Sequence, residues 1–119
     1  MTQITNNKRY DLEERCLKFA KRVNKYINNL PKTITNIENG KQLARSAGSV
    51  GANYIEANEA LSKKDFIMRA KISKKEAKES RFWLMLSEPI DKEQKEKDLL
   101  IQEATELMKI FGSILEKSK

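Results

Sequence analysis

The chain has 119 residues, of which 39% are hydrophobic and 34% charged, and a formal net charge of +7; its length fits one domain that buries roughly two thirds of its unfolded surface. It contains no histidine and a single cysteine, Cys16, which excludes the common zinc ligand sets, the Ser/His/Asp and Cys/His catalytic arrangements and any intrachain disulfide. No apolar run approaches the roughly 20 residues of a membrane span, and the first ten residues lack a signal-peptide core, so the expectation is a cytoplasmic, all-helical protein.

From Asp11 to Leu30 the residues Leu12, Cys16, Phe19, Val23, Ile27 and Leu30 recur at steps of four and three, the period of a helix that shows one seam to its neighbours. Leu17, Ala20 and Tyr26 broaden that seam. Pro31 follows, and because proline disfavours helical conformation in the residue before it, the helix is expected to stop near Asn29 or Leu30.

Thr35 and Glu38 have capping-box spacing, which starts the second helix near Asn36 and carries it to about Ala60. Within it, Ala44, Ala47, Gly48, Gly51, Ala52 and Ile55 share a stripe that is almost bare backbone, next to an apolar run through Leu43, Ala47, Val50, Tyr54, Ala57 and Leu61. Two interior glycines cost about 1 kcal/mol each relative to alanine, so the reading is close approach of another backbone, with a break at Gly48 or Gly51 as the alternative. The remaining face carries Arg45, Ser49, Asn53 and Glu56. These are candidates for a polar network or ligand contact, against the plainer reading of hydrogen bonds that fix helix register.

Ser62 and Asp65 form a second capping box, flanked by Leu61 and Phe66 in the positions of a hydrophobic staple. The third helix then runs from Lys63 to about Leu86, with Phe66, Ala70, Ser73, Ala77, Ser80 and Leu84 as a seam of mostly small residues. That seam is expected to meet the small face of the second helix in a tight antiparallel pair. Pro89 ends the third helix. The fourth begins near Asp91 with the segment DKEQKEKD, polar all round and expected to project past the bundle, before an apolar stripe through Leu99, Leu100, Ala104, Leu107, Met108, Phe111, Ile114 and Leu115. The architecture implied is a single domain, 1–119, with helices about 11–30, 36–60, 63–86 and 91–116 in an up-down-up-down antiparallel four-helix bundle.

Positive charge concentrates in the first and third helical segments. Lys64, Lys71, Lys74, Lys75, Lys78 and Arg81 on the third helix, with Lys18, Arg22 and Lys25 on the first, are candidates for neutralising phosphates; the plain reading is that they only solubilise the bundle. Interleaved aromatics and base-reading motifs are not recognised on the charged face, so binding is expected to be largely independent of sequence. Met68, Phe82 and Met85 exceed what one four-helix core needs, which favours an oligomer or a protein partner.

The run RSAGSVGANYIEA, Arg45 to Ala57, followed by SKKDFIMRAKISKKEAKESRFWL, Ser62 to Leu84, resembles the bacterial four-helix-bundle family named for proteins encoded in intervening sequences of 23S ribosomal RNA genes. The resemblance rests on Arg45, Ser49, Val50, Asn53, Glu56, Asp65, Phe66, Ala77, Glu79, Ser80, Trp83 and Leu84. The chain departs from the pattern at Ala57, where many members have glycine after the acidic residue. The family is related to the accessory variability determinant of diversity-generating retroelements. That resemblance implies a basic homopentamer that associates with RNA or DNA and with a reverse transcriptase, and it carries over no catalytic residues. Two readings follow: a nucleic-acid-binding oligomer, or an assembly or adaptor module without direct nucleic-acid binding. An enzyme reading would need Glu56 and Glu79 to meet around a metal, and without histidine the Glu-x-x-His pairs of di-iron bundles cannot form. A structural salt link from Glu79 to Arg45 or Arg81 is the competing expectation, with no metal and no cofactor.

Overall fold

Pro31 closes the first helix as its chemistry requires: α1 spans Thr2–Asn28, and the backbone N–H groups of Asn29 and Leu30 donate back to Lys25 and Ile27 at 3.2 and 3.0 Å. The computed structural model describes residues 2–119, with side chains described from Tyr10 onward; Lys8 and Arg9, part of the basic balance of the first segment, lie outside the described side chains. Tyr26 takes the buried place expected for Ile27, because its hydroxyl finds Ser87 Oγ at 2.6 Å. Since Ser87 Oγ donates its own proton to the Leu84 carbonyl, the tyrosine is the donor in that pair.

α2 spans Ile34–Asn58 and begins two residues earlier than the Thr35–Glu38 spacing implies. Thr33 is the cap instead, its hydroxyl accepting from Asn36 N–H at 3.1 Å, while Glu38 pairs with Lys41. The helix runs unbroken through both glycines, but the two differ. A Cβ on Gly51 would sit 3.0 Å from Cys16 Cβ, so α1 packs closely against α2 at Gly51, whereas Gly48 faces open space. The small stripe therefore does not receive the third helix: Ala47 and Gly51 turn towards the core and α1, and Ala44, Gly48, Ala52 and Ile55 are exposed.

α3 spans Lys63–Leu86 and starts at the expected cap, Ser62, whose hydroxyl accepts from Asp65 N–H at 3.1 Å. The accompanying staple is not made, because Leu61 is fully solvent-exposed. The seam Ala70, Ser73, Ala77, Ser80 and Leu84 is buried, and it meets the side of α2 that bears Ser46 and Val50. Ser73 Oγ donates to the Val50 carbonyl at 2.9 Å, and Ser80 Oγ lies 2.9 Å from Ser46 Oγ. Only small side chains permit that approach.

A single 3-10 turn, Asp91–Glu93, leads into α4, Gln94–Lys117. Its polar first turns do not project; they lie along α1, where Glu96 accepts both Nε and Nη2 of Arg22 and Glu93 accepts from Asn29 Nδ2. Two turns further, Arg15 forks onto Glu103 at 2.7 and 2.9 Å. The four helices form an up-down-up-down antiparallel bundle measuring 47 × 23 × 19 Å, with α2–α3 the most extensive interface and α1–α4 the slightest of the four. α1 and α3 are diagonal. The two turns at one end are tied together by Asn36, a buried amide that donates to the Pro31 and Glu88 carbonyls and accepts from Glu88 N–H, all at 3.0 Å.

Candidate nucleic-acid interface

The charge of α3 is sorted by helical period. Ala70, Ser73, Ala77 and Ser80 bury one face, so side chains half a turn away must point outward, and these are Lys64, Lys71, Lys75, Lys78 and then Phe82. All five are exposed, and none of the four lysines is in a salt bridge among the described residues. Lys74 stands to one side and lies over α4, its Nζ 3.5 Å from where a Cβ on Gly112 would be. Arg81 also turns towards α4 and donates to Thr105 Oγ1 at 3.3 Å. At the N-terminal end of the row an open depression of about 680 Å³ is lined by Ile67 and Met68 together with Ser62, Lys63, Lys64, Lys71 and the acidic Asp65.

The basic residues of α1 occupy a different side of the molecule. Lys18 and Lys25 are exposed and lie away from α3, because α1 and α3 are diagonal; Arg22 between them is held by Glu96 at 3.0 Å. The nine candidate cations thus form two faces, and the α3 row is the denser.

The polar residues of α2 resolve into two groups. Arg45 reaches across to α3, where Nη1 is 3.3 Å from Glu76 and Nη2 bonds Glu79, and the Trp83 indole N–H donates to the same Glu79 oxygen at 3.0 Å. That indole bond first, and Arg45 second, hold the Glu79 carboxyl below its ordinary value despite partial burial, while the Glu79 bond raises the Arg45 guanidinium. Ser49 Oγ donates to the Arg45 carbonyl at 2.8 Å, Asn53 Nδ2 donates to the Ser49 carbonyl at 2.9 Å, and Asn53 Oδ1 accepts from Arg69 at 3.2 Å. Glu56 stays at the surface, a turn beyond the Asn53–Arg69 pair and far along α3 from Glu79. Of this face, Arg45 and Asn53 bond across to α3, whereas Ser49 bonds within α2. No group of three or more Cys, Asp and Glu side chains among the described residues is placed to hold a metal ion.

Two participants are invisible to the seam analysis of the sequence. Glu76 shares Arg45 with Glu79, one turn before it on the same face. Phe82, expected only as surplus apolar surface, lies in line with the lysines, four residues after Lys78 and seven after Lys75; it is 55% exposed. The charged face does therefore carry an aromatic, and the i, i+4, i+7 spacing was the available signal.

These features define a helical bundle whose distinctive chemistry is on its surface: a lysine row on one helix, braced from behind by an inter-helix ion-pair network. The chain belongs to the family of 23S rRNA-intervening sequence proteins, whose pattern matches residues 8–113. It is also similar to the crystal structure of a protein of unknown function from the S23 ribosomal protein family of Bacteroides thetaiotaomicron, with 31% identity and a TM-score of 0.76 over 92% of this chain and 98% of that one. No curated protein matches the chain. Among the described residues, no helix is long and apolar enough to cross a membrane.

Proposed function

We propose that the protein is a non-enzymatic, oligomeric bundle that binds RNA or DNA with low sequence specificity through the α3 lysine row. One observation carries the reading: four exposed lysines stand on a single helix face with no carboxylate within salt-bridge distance among the described residues, while Glu76 and Glu79 on the flank of that face are occupied by Arg45. Phosphate is the anion such a row suits, and the family's association with ribosomal RNA genes agrees with it. Lys18 and Lys25 supply a second, sparser basic face. In a homopentamer, which the family resemblance implies, weak contacts from each protomer add by avidity. The outer groove between α1 and α2, where Tyr10, Leu17 and Ile55 are exposed beside the open Gly48, offers apolar surface for such assembly. The lone buried thiol fits a reducing cytoplasm.

A salt titration with RNA and DNA oligomers tests the reading. Four phosphate contacts on a single strand give a slope of log K against log salt of about −3 per protomer. The variant Lys71→Glu/Lys75→Glu/Lys78→Glu is expected to bring that slope close to zero with its helical content unchanged. A wild-type slope equivalent to less than one phosphate per protomer would leave the second reading, an adaptor whose partner is a protein such as a reverse transcriptase; the exposed apolar groove is what favours it. Light scattering that gave a monomer at micromolar concentration would remove the oligomer from both.

A further inference from the structure

Lysines suit the phosphates of paired and unpaired strands alike, so a preference between them has to come from other side chains, and the C-terminal end of the row carries one. Phe82 follows Lys78 by one turn, about 6 Å along the axis, and Lys75 by two turns. Its ring meets Trp83 edge-on, with centroids 5.1 Å apart and planes at 71°, which holds one flank of the ring and leaves it 55% exposed. Trp83 is itself fixed by its bond to Glu79, and Glu79 by Arg45. An exposed aromatic side chain ordinarily swings between rotamers. Here a chain of contacts from α2 braces it beside the cations, and the next turn adds exposed Met85 and Leu86 as an apolar apron.

We infer that the α3 face is a binding site for single-stranded nucleic acid, in which the lysines take the phosphates and Phe82 stacks one unpaired base. The inference rests on the proposed nucleic-acid reading and narrows it. A base inside a duplex presents no free face to a helix-borne ring, whereas a phosphate held at Lys78 leaves an unpaired base within reach of Phe82. Every base has a π-face, so the site is tolerant of sequence, in keeping with the missing base-reading motif. Trp83 and Glu79 are positioning residues for the ring.

The test compares wild type, Phe82→Ala and Phe82→Trp by fluorescence anisotropy on three labelled probes, a 12-nucleotide RNA, the same DNA and its blunt duplex, at one fixed low salt concentration. Loss of one stacked base weakens single-strand binding by about 5- to 150-fold, so Phe82→Ala is expected to show that loss on both single strands, an unchanged duplex affinity, and recovery in Phe82→Trp. Phe82→Ala binding single strands as wild type does, while the triple lysine variant binds none, would overturn stacking and keep the lysine reading. Equal loss on all three probes together with a changed sedimentation coefficient would make Phe82 a subunit contact and also overturn it. Wild type binding none of the probes would overturn the nucleic-acid reading itself.

Discussion

The two glycines of α2 make opposite predictions for the same substitution. Gly→Ala in a helix interior gains about 1 kcal/mol from backbone propensity. At Gly48 nothing lies within 4 Å of the new methyl group, so the gain stands, and Gly48→Ala is expected to raise stability by about 0.5–1 kcal/mol. At Gly51 the methyl would meet Cys16 Cβ at 3.0 Å, and that atom is anchored directly to the α1 backbone rather than being the far end of a flexible chain. Moving two helices apart to relieve such a contact costs about 1–3 kcal/mol, which outweighs the propensity gain, so Gly51→Ala is expected to destabilise by about 1 kcal/mol. For a chain of this size each kcal/mol corresponds to a shift in Tm of roughly 3–5 °C. Urea titration followed by circular dichroism at 222 nm, at matched protein concentrations, reads both signs through the midpoint. If both variants were stabilised equally, α1 would not approach α2 at Gly51. If Gly48→Ala were destabilised in a concentration-dependent way, another subunit would be covering Gly48.

Three further outcomes follow from buried or bonded groups. Asn36→Ala removes three hydrogen bonds, two of which join the α1–α2 turn to the α3–α4 turn, and is expected to cost about 2–3 kcal/mol in the same titration; a cost near zero would mean that water replaces the amide without loss. Burial, followed by the charge of Glu103, pushes the Cys16 thiol up to about 12, so the native protein is expected to resist a thiol-specific disulfide reagent at pH 8 and to react with one equivalent in guanidinium. Rapid native labelling would place Cys16 outside the core. The Glu79 carboxyl is held below its ordinary value by Trp83 first and Arg45 second, so it stabilises the fold at neutral pH and that contribution disappears as pH falls through the lowered value. Glu79→Gln is therefore expected to cost about 0.5–1 kcal/mol at pH 7, the modest figure reflecting its partial exposure, with the deficit vanishing in acid; a deficit independent of pH would refute the charge argument.

The sequence was most legible where a periodic pattern had one solution. Cys16, Phe19 and Val23 are buried as their spacing implies, and so are Ala70, Ser73 and Ala77. Which neighbour each face would meet was less legible, because spacing gives an azimuth on a helix and not the partner at that azimuth. The stripe around Gly48 was assigned to α3, but α3 takes the side bearing Ser46, Val50 and Asn53, since its serines need acceptors there. Local signals competed at the turns: Thr33 and Thr35 both offer a capping hydroxyl, and it is Thr33 that accepts from Asn36 N–H. Asn36 carried no signal at all, because its partners are backbone atoms 5 and 52 residues away. At the candidate site, the lysines were readable one by one. Their division into two faces needed the diagonal placement of α1 and α3.

The arginines and the α3 lysine row hold their charge differently, and the proposed binding rests on that difference. All five arginines with described side chains are engaged: Arg15 and Arg22 with glutamates of α4, Arg45 with glutamates of α3, Arg69 with Asn53, and Arg81 with Thr105. The guanidinium fork suits such fixed geometry, and the lysine ammonium, flexible and strongly hydrated, suits a mobile polyanion. A substitution that removes one charge should therefore act differently by position. Arg22→Gln is expected to cost about 0.5–1 kcal/mol of stability, because it breaks the Glu96 pair on the slightest interface, and to leave the salt slope of single-strand binding unchanged. Lys75→Gln should leave Tm unchanged and reduce that slope by about 0.7. Paired thermal melts and salt titrations on the two variants read both axes. A Lys75→Gln variant with an unaltered slope, or an Arg22→Gln variant that loses a full phosphate contact at wild-type stability, would reverse the assignment and move the interface to α1.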